Sequence, residues 1–186
     1  MRILAVSGSL RRNSFNTSLL RAAVEAAPEG VEVDLWEGLG DLPVYNQHLD
    51  NGEAPESVRR LREDWDAADA ILFATPEYNG SVPGGLKNAI DWASRPKFEA
   101  ALTNKTVAVV GASTGQFGAL WAQQDLKRIL GVAGARVVGT EIPVARAHER
   151  VDDEGRLLDA ELFEQLRLHL TTLAAEAVGD GERVAA

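Results

Sequence analysis

The sequence predicts an α/β domain built on a parallel sheet with helices on both faces. Short apolar runs recur along the chain, each closed by turn residues: Ile3-Leu4-Ala5-Val6, Ala70-Ile71-Leu72-Phe73-Ala74 and Val107-Ala108-Val109-Val110. Continuous runs of this kind suit strands covered on both faces, whereas a half-exposed strand would alternate. Helical periodicity fills the intervals, and parallel neighbours joined by helical crossovers place helices on the sheet faces. The 186 residues, 45% hydrophobic and 25% charged, have the size and balance of one ordinary soluble domain.

Taken in order, the first strand, Ile3–Val6, ends in Ser7-Gly8-Ser9. A helix follows, with Leu19, Leu20, Ala23, Val24 and Ala27 on its apolar face and Pro28 and Gly30 as its stop. Val31–Leu35 alternates and reads as an edge strand. Val58, Leu61, Trp65 and Ala68 mark a second helix with Pro55 at its start, where a missing N–H costs nothing. The strand Ala70–Ala74 leads to a helix from about Pro83 to Ser94, and the strand Val107–Val110 to one from Ala119 to Val132. Ala135–Val138 is the fifth strand. Leu162, Phe163, Leu166, Leu170, Leu173 and Ala177 line one face of a final helix. The connections 36–54 and 140–158 are long, and the predicted domain is 1–178, with 179–186 a disordered tail.

Composition narrows the functional classes. The chain has no cysteine, which removes disulfides, thiolate zinc sites, iron–sulfur clusters and thiol nucleophiles. A net charge of −9 argues against nucleic acid as a partner, because neutralising phosphates needs a basic face. The apolar run at the N-terminus is too short for a signal peptide, and no stretch approaches a membrane span; the expected location is cytoplasmic, with no membrane partner. His48, His148 and His169 are scattered, with no metal-like spacing, so no metal site and no histidine acid–base pair is expected.

Ligands of such sheets bind beyond the carboxyl ends of the strands. Three loops there are unusual. Ser7 to Thr17 offers hydroxyls at Ser9, Ser14 and Thr17, an amide at Asn16 and a guanidinium at Arg11, all at the start of a helix. Helix N–H groups, hydroxyls and an arginine suit a phosphate. The GxxxxGK[ST] spacing is absent, which points to a phosphate held as part of a bound cofactor. Thr75 to Asn88, with two prolines and three glycines, suits the edge of a flat heterocycle that Tyr78 could flank. Gly111 to Gly118 is small and strand-terminal. Taken singly, the first loop also reads as a capped helix start and the third as plain turn chemistry.

Together the strings Gly8-Ser9-Leu10-Arg11, Ser14-Phe15-Asn16, Thr75-Pro76-Glu77-Tyr78-Asn79 and Ser81-Val82-Pro83-Gly84-Gly85-Leu86-Lys87-Asn88-Ala89-Ile90-Asp91-Trp92 resemble the NADPH-dependent FMN reductase family, within the flavodoxin-like quinone, chromate and azo-dye reductases. The resemblance implies a flavodoxin-like five-stranded sheet of order 2-1-3-4-5 and a bound FMN. It assigns the phosphate to Ser9, Arg11, Ser14, Asn16 and Thr17, counts Phe15 among the cofactor-binding residues, and assigns the ring to Pro76, Glu77, Tyr78 and Asn79, with Ser113 and Gly115 near its pyrimidine side. Asn13 and Thr114–Phe117 depart from, or vary within, the family pattern.

The implied function is an FMN-dependent NAD(P)H oxidoreductase that passes electrons by ping-pong hydride transfer to a small acceptor: a quinone, free flavin, chromate or an azo compound. NADPH or NADH is the co-substrate, and a homodimer or homotetramer is expected. No catalytic side chain is expected, since the cofactor carries the chemistry and the protein supplies position and electrostatics. An FMN-binding electron carrier or interaction module without NAD(P)H reductase activity is the alternative.

Overall fold

The computed structural model describes residues 1–50, 52–97 and 99–184. Its parallel sheet comprises β1 (Arg2–Ser7), β2 (Glu32–Trp36), β3 (Ala70–Thr75), β4 (Thr106–Ala112), β5 (Arg136–Val137) and β6 (Pro143–Val144). The order is β2-β1-β3-β4-β5, as expected, with the alternating β2 on the edge. The helices are α1 (Phe15–Glu25), α2 (Glu56–Ala67), α3 (Gly84–Ala93), α4 (Leu120–Val132) and α5 (Ala160–Val184). Helix α5 runs on through part of the segment that the sequence reads as a tail; residues 185–186 lie outside the described residues. No helix among the described residues is long and apolar enough to cross a membrane.

Side-chain alternation along the strands feeds two cores. Ile3, Ala5, Leu72, Ala74, Ala108 and Val110 pack with Leu19, Leu20, Leu166 and Leu170 of α1 and α5. Leu4, Val6, Ile71, Phe73, Val107 and Val109 pack with α2, α3 and α4 through Leu61, Trp65, Leu86, Trp92 and Leu126. Trp65 stands edge-on between Phe73 and Trp36, with ring centroids 5.2 and 5.7 Å away. Burial on both faces explains why β1, β3 and β4 read as unbroken apolar runs.

The fifth strand differs from the sequence reading, because it comes in two pieces. Val107 pairs with Val137, and Gly111 and Ala112 pair with Pro143 and Val144, within the stretch read as connection. Between them the chain leaves the sheet: Lys127 Nζ donates to the Gly139 carbonyl (2.9 Å), and the Ile142 N–H donates to Gln123 (3.0 Å). His169, on α5, lies against Gly139 and hydrogen-bonds the Val109 backbone. Burial, with Lys127 nearby, pushes its imidazole down to about 4. A two-residue strand has no hydrophobic periodicity, which is why Pro143–Val144 was illegible.

The long connection 36–54 is pinned from α3. The Asn88 amide donates to the Pro43 carbonyl (2.9 Å) and accepts from the Tyr45 N–H (2.7 Å), and the Trp92 indole donates to the same Pro43 carbonyl (2.8 Å).

Candidate active site

Three connections meet beyond the carboxyl ends of the central strands: loop one (8–14), loop three (76–83) and loop four (113–119). Glycine lets loop one approach loop three and lets the ends of β3 and β4 lie close together. A Cβ on Gly8 would come within 2.9 Å of Leu86 and 3.3 Å of both the Ala74 carbonyl and Pro76; a Cβ on Gly111 would lie 2.8 Å from the Thr75 carbonyl. The Gly8 N–H donates to the Ala74 carbonyl (2.8 Å), which ties loop one to the end of β3.

Loop one is organised by its own hydroxyls. The hydroxyls of Ser7 and Thr17 are 2.9 Å apart, and Ser7 also accepts from the Ser9 N–H (3.3 Å). The Ser9 hydroxyl accepts from the Arg11 N–H (3.3 Å). Ser14 is the buried N-cap of α1 and accepts from the Thr17 N–H (3.3 Å). The first-turn N–H groups of α1, at Phe15 and Asn16, have no carbonyl before them in the helix. Arg11 is exposed, with its guanidinium over the Phe15 ring at 4.8 Å, and forms no ion pair among the described residues. The structure therefore presents hydroxyls, helix N–H groups and a free guanidinium together, a donor set suited to a phosphate.

Asn16 plays a different part from the one its amide suggests. It is buried, and its Nδ2 donates to the Ala112 carbonyl (3.0 Å) while its Oδ1 accepts from the Ala112 N–H (2.9 Å). The last pair in the β3–β4 ladder is Thr75 with Gly111. Asn16 thus serves Ala112 as one more strand residue would, and its side-chain amide is already engaged; its backbone N–H is what it offers at the helix start.

Loop three is a tight reversal. Tyr78 and Ser81 exchange backbone hydrogen bonds, both 3.1 Å, around Asn79 (φ 52°) and Gly80 (φ 75°). Two successive positive φ values define a type I′ turn, for which Asn-Gly is the favoured pair. That dipeptide is the signal that could have revealed the turn. Glu77 accepts from the Ala122 N–H (3.1 Å) at the start of α4, and the Ser81 hydroxyl lies 2.5 Å from Asp125. That bond, helped by Arg128, holds the Asp125 carboxyl below the usual range. Pro76 is buried, whereas Tyr78 and Asn79 are exposed.

Loop four is held from outside. The Ser113 N–H donates to Val144, its carbonyl accepts from Ala147, and the Gly115 carbonyl accepts from the Arg146 N–H (3.1 Å in the first and last cases, 3.0 Å in the second). Gly118 and Ala119 both have positive φ, 58° and 60°. The fully buried Gln123 donates to the Gly118 carbonyl (3.2 Å) and accepts from Ile142. No pattern in the sequence marked Gln123, which lies one residue from Ala122 on the buried face of α4. Phe117 and Trp121 stand half-exposed at the rim with centroids 4.7 Å apart.

The structure brings Ser9, Arg11, Ser14, Phe15, Asn16 and Thr17 together at one helix start, and Pro76–Asn79 and Ser113–Gly115 onto the adjoining loops. His48 is an exposed surface residue, His148 is exposed in a cleft that also borders Arg11, Asn13 and Phe15 of the first loop, and His169 is buried behind the sheet. No cluster of metal-ligating side chains occurs among the described residues.

Comparison with known proteins agrees with this geometry. A family model described as NADPH-dependent FMN reductase matches residues 1–149. An NAD(P)H-dependent FMN reductase of Pseudomonas aeruginosa is 40% identical over 174 residues, 93% of each chain. A 2-hydroxy-1,4-benzoquinone reductase from a Burkholderia species is 35% identical over 94% of this chain and 95% of its own. Among solved structures, the flavoenzyme FerB of Paracoccus denitrificans, an NAD(P)H:(acceptor) oxidoreductase, superposes with a TM-score of 0.80 at 35% identity, covering 94% of this chain and 97% of FerB. These matches favour a reductase over the electron-carrier alternative. The chain belongs to the NADPH-dependent FMN reductase family, with the flavodoxin-like fold.

Proposed function

We propose that FMN lies across the carboxyl edge of β1, β3 and β4, and that electrons from NAD(P)H pass to quinones or to related acceptors such as free flavin, chromate and azo compounds. The observation that carries this reading is the close approach of loop one to loop three at Gly8 and of the β3 and β4 ends at Gly111, where all three loops emerge, with Arg11, which forms no ion pair among the described residues, at the start of α1. The residues fit the group. Ser9 and Thr17 donate hydroxyl hydrogen bonds to the phosphate, the first-turn N–H groups of Phe15 and Asn16 add two more, and Arg11 supplies the charge. Ser14 caps the helix that aims those N–H groups, and Asn16 fixes the helix to β4. Pro76, Glu77, Tyr78 and Asn79 border the ring, with Glu77 fastened to α4, and Ser113 and Gly115, whose backbone groups are held by Val144, Ala147, Arg146 and the Ser113 hydroxyl, border its far side.

When bound, FMN supplies the redox chemistry, accepting hydride from the nicotinamide and returning it to the acceptor. The chain's own task is to bind, orient and exclude water; no side chain is assigned a proton transfer. Both substrates use the one open face in turn, which is ping-pong kinetics. The cleft of about 680 Å³ between α3 and α4, where Val82, Ile90, Ile129 and Val132 lie among charged side chains and Val132 is 82% exposed, supports assembly as a homodimer or homotetramer.

The test is the visible spectrum of the purified protein. About one FMN per chain, bleaching anaerobically on NAD(P)H and recovering on benzoquinone, is the expected result; a colourless protein that takes up no added FMN overturns the reading. Double-reciprocal plots should be parallel, and intersecting lines would rule out ping-pong. Ultracentrifugation reads the assembly.

A further inference from the structure

We propose that Phe117 and Trp121 form a wall on which the electron acceptor stacks, so that the enzyme selects flat conjugated acceptors such as quinones over compact anions such as chromate. The inference deepens the FMN reading above and rests on it, because the acceptor must reach a flavin ring bordered by loops three and four.

Exposure carries the argument. Leaving an apolar ring in water is costly, and this chain hides most of its rings; Trp65, Phe73 and Trp92 are fully buried. Among the described residues only three aromatic side chains are exposed: Tyr78, Phe117 and Trp121. They stand on loop three, on loop four and in the first turn of α4. Tyr78 borders the flavin ring in the reading above, whereas Phe117, 48% exposed, and Trp121, 46% exposed, have no part in it. Their ring centroids are 4.7 Å apart and their planes are inclined at 51°, so the two rings present one joined apolar surface. Such a surface takes a flat conjugated ring by offset stacking or edge contact.

Position agrees with exposure. The backbone between the two rings is a compact turn through Gly118 and Ala119, closed by a bond from the Leu120 N–H to the Phe117 carbonyl (3.0 Å). A Cβ on Gly118 would lie 2.6 Å from the backbone of residues 143–145, so the turn is pressed against β6 and the rings are left on its outer side. Glu77 accepts from the N–H of Ala122, the next residue after Trp121. Asp125 follows Trp121 by one helical turn on the same face of α4, and it meets the Ser81 hydroxyl. Both ties run to loop three, so Trp121 stands on the side of α4 turned toward the loop assigned to the flavin ring. A dinucleotide has two phosphates and an adenosine to hold it, whereas a quinone offers little besides its ring and carbonyls. A stacking wall therefore matters far more to the quinone than to the nucleotide. It does nothing for chromate, a compact anion with no ring face.

The test compares the flavin-loaded wild type with Trp121→Ala, Phe117→Ala and Trp121→Phe. For each, kcat/KM is measured with 1,4-naphthoquinone, 1,4-benzoquinone and chromate, and flavin reduction by NAD(P)H is followed by anaerobic stopped flow. Binding of 2-naphthol, a flat ring that accepts no hydride, is titrated by NMR. Each alanine variant should lose about 3- to 10-fold in kcat/KM for naphthoquinone, the range of one aromatic contact. The loss should be smaller for benzoquinone, whose single ring covers less of the wall. Binding of 2-naphthol should weaken by a similar factor, and Trp121→Phe should keep most of both. Chromate turnover and flavin reduction should fall far less, within about 2-fold, with FMN content and sedimentation as in the wild type. Equal losses for naphthoquinone and chromate, an equal loss in flavin reduction, or unchanged 2-naphthol binding overturns the proposal. So does a changed sedimentation coefficient, which would make the pair a contact between copies of the chain. If the protein takes up no FMN, the earlier reading fails, and the 2-naphthol titration of the flavin-free protein still decides whether the pair holds a flat ring.

Discussion

Loop one and loop four each leave a central strand, contain glycine and hydroxyl side chains and lead into a helix, yet they are held in opposite ways. Loop one carries its own bracing: Ser14 caps α1, Ser7 and Thr17 pair their hydroxyls, and Asn16 reaches 96 residues along the chain to extend the β4 ladder. Loop four carries almost none. Glu77 from loop three meets the first turn of α4, Gln123 supports the Gly118 carbonyl, and residues 144–147 supply the remaining backbone partners. Two positive-φ residues in succession, one of them the alanine Ala119, persist there because the surroundings compel them. A loop braced by its neighbours is positioned only when those neighbours are in place, whereas a self-braced loop keeps its donors aimed whatever the rest of the rim does. The phosphate is assigned to the self-braced loop.

The largest expected effects break this comparison directly. Asn16→Ala leaves the Ala112 N–H and carbonyl without their buried partner, and Gln123→Ala does the same to the Ile142 N–H and the Gly118 carbonyl. Each should cost about 2–4 kcal/mol, and the melting temperature should fall by roughly 5–15 °C. Hydrogen exchange separates them. Gln123→Ala should deprotect 142–147 and leave the start of α1 protected, while Asn16→Ala should loosen α1 and the end of β4. Loss of protection at both loops in both variants would mean that the bracing is shared.

His169 tests the same principle at the broken fifth strand. Its folded-state value of about 4 lies below the ordinary 6.5, so the unfolded chain binds its proton first as the pH falls. Stability is therefore lost between about pH 6.5 and 4, by up to roughly 3 kcal/mol, and His169 takes none away above that window. Urea unfolding at a series of pH values should show a shallower acid decline for His169→Leu than for the wild type; parallel curves would mean that the imidazole is charged when folded.

Arg11→Ala sharpens the phosphate assignment. FMN affinity should fall about 10- to 150-fold, with hydride transfer in the flavin-loaded enzyme changed far less. Unchanged affinity on fluorescence titration removes Arg11 from the site. The smallest effect is expected at the surface, where His48→Gln and His148→Gln should leave turnover near wild type. A hundredfold loss at either would reveal a proton-transfer step that the three-loop arrangement lacks.

Much of the molecule is determined by sequence alone. Apolar runs buried on both faces require a covered parallel sheet, and alternation in Glu32–Trp36 puts that strand at the edge. The strings from Gly8 to Asn16 and from Thr75 to Trp92 mark the reductase loops by their resemblance to the family, although by composition alone the first also reads as a capped helix start. Tertiary structure alone decided how those polar groups are spent. Asn16 reads as a phosphate ligand by residue type, yet burial commits both ends of its side-chain amide to Ala112, while the Ser14 hydroxyl accepts the helix-cap bond and keeps its own hydrogen to donate. Gln123 and the Pro143–Val144 strand left no periodic trace, since a single buried amide and a two-residue strand are each defined by partners distant in the chain. Local pattern reports which faces are apolar; which donor meets which acceptor depends on distances that only the folded chain sets.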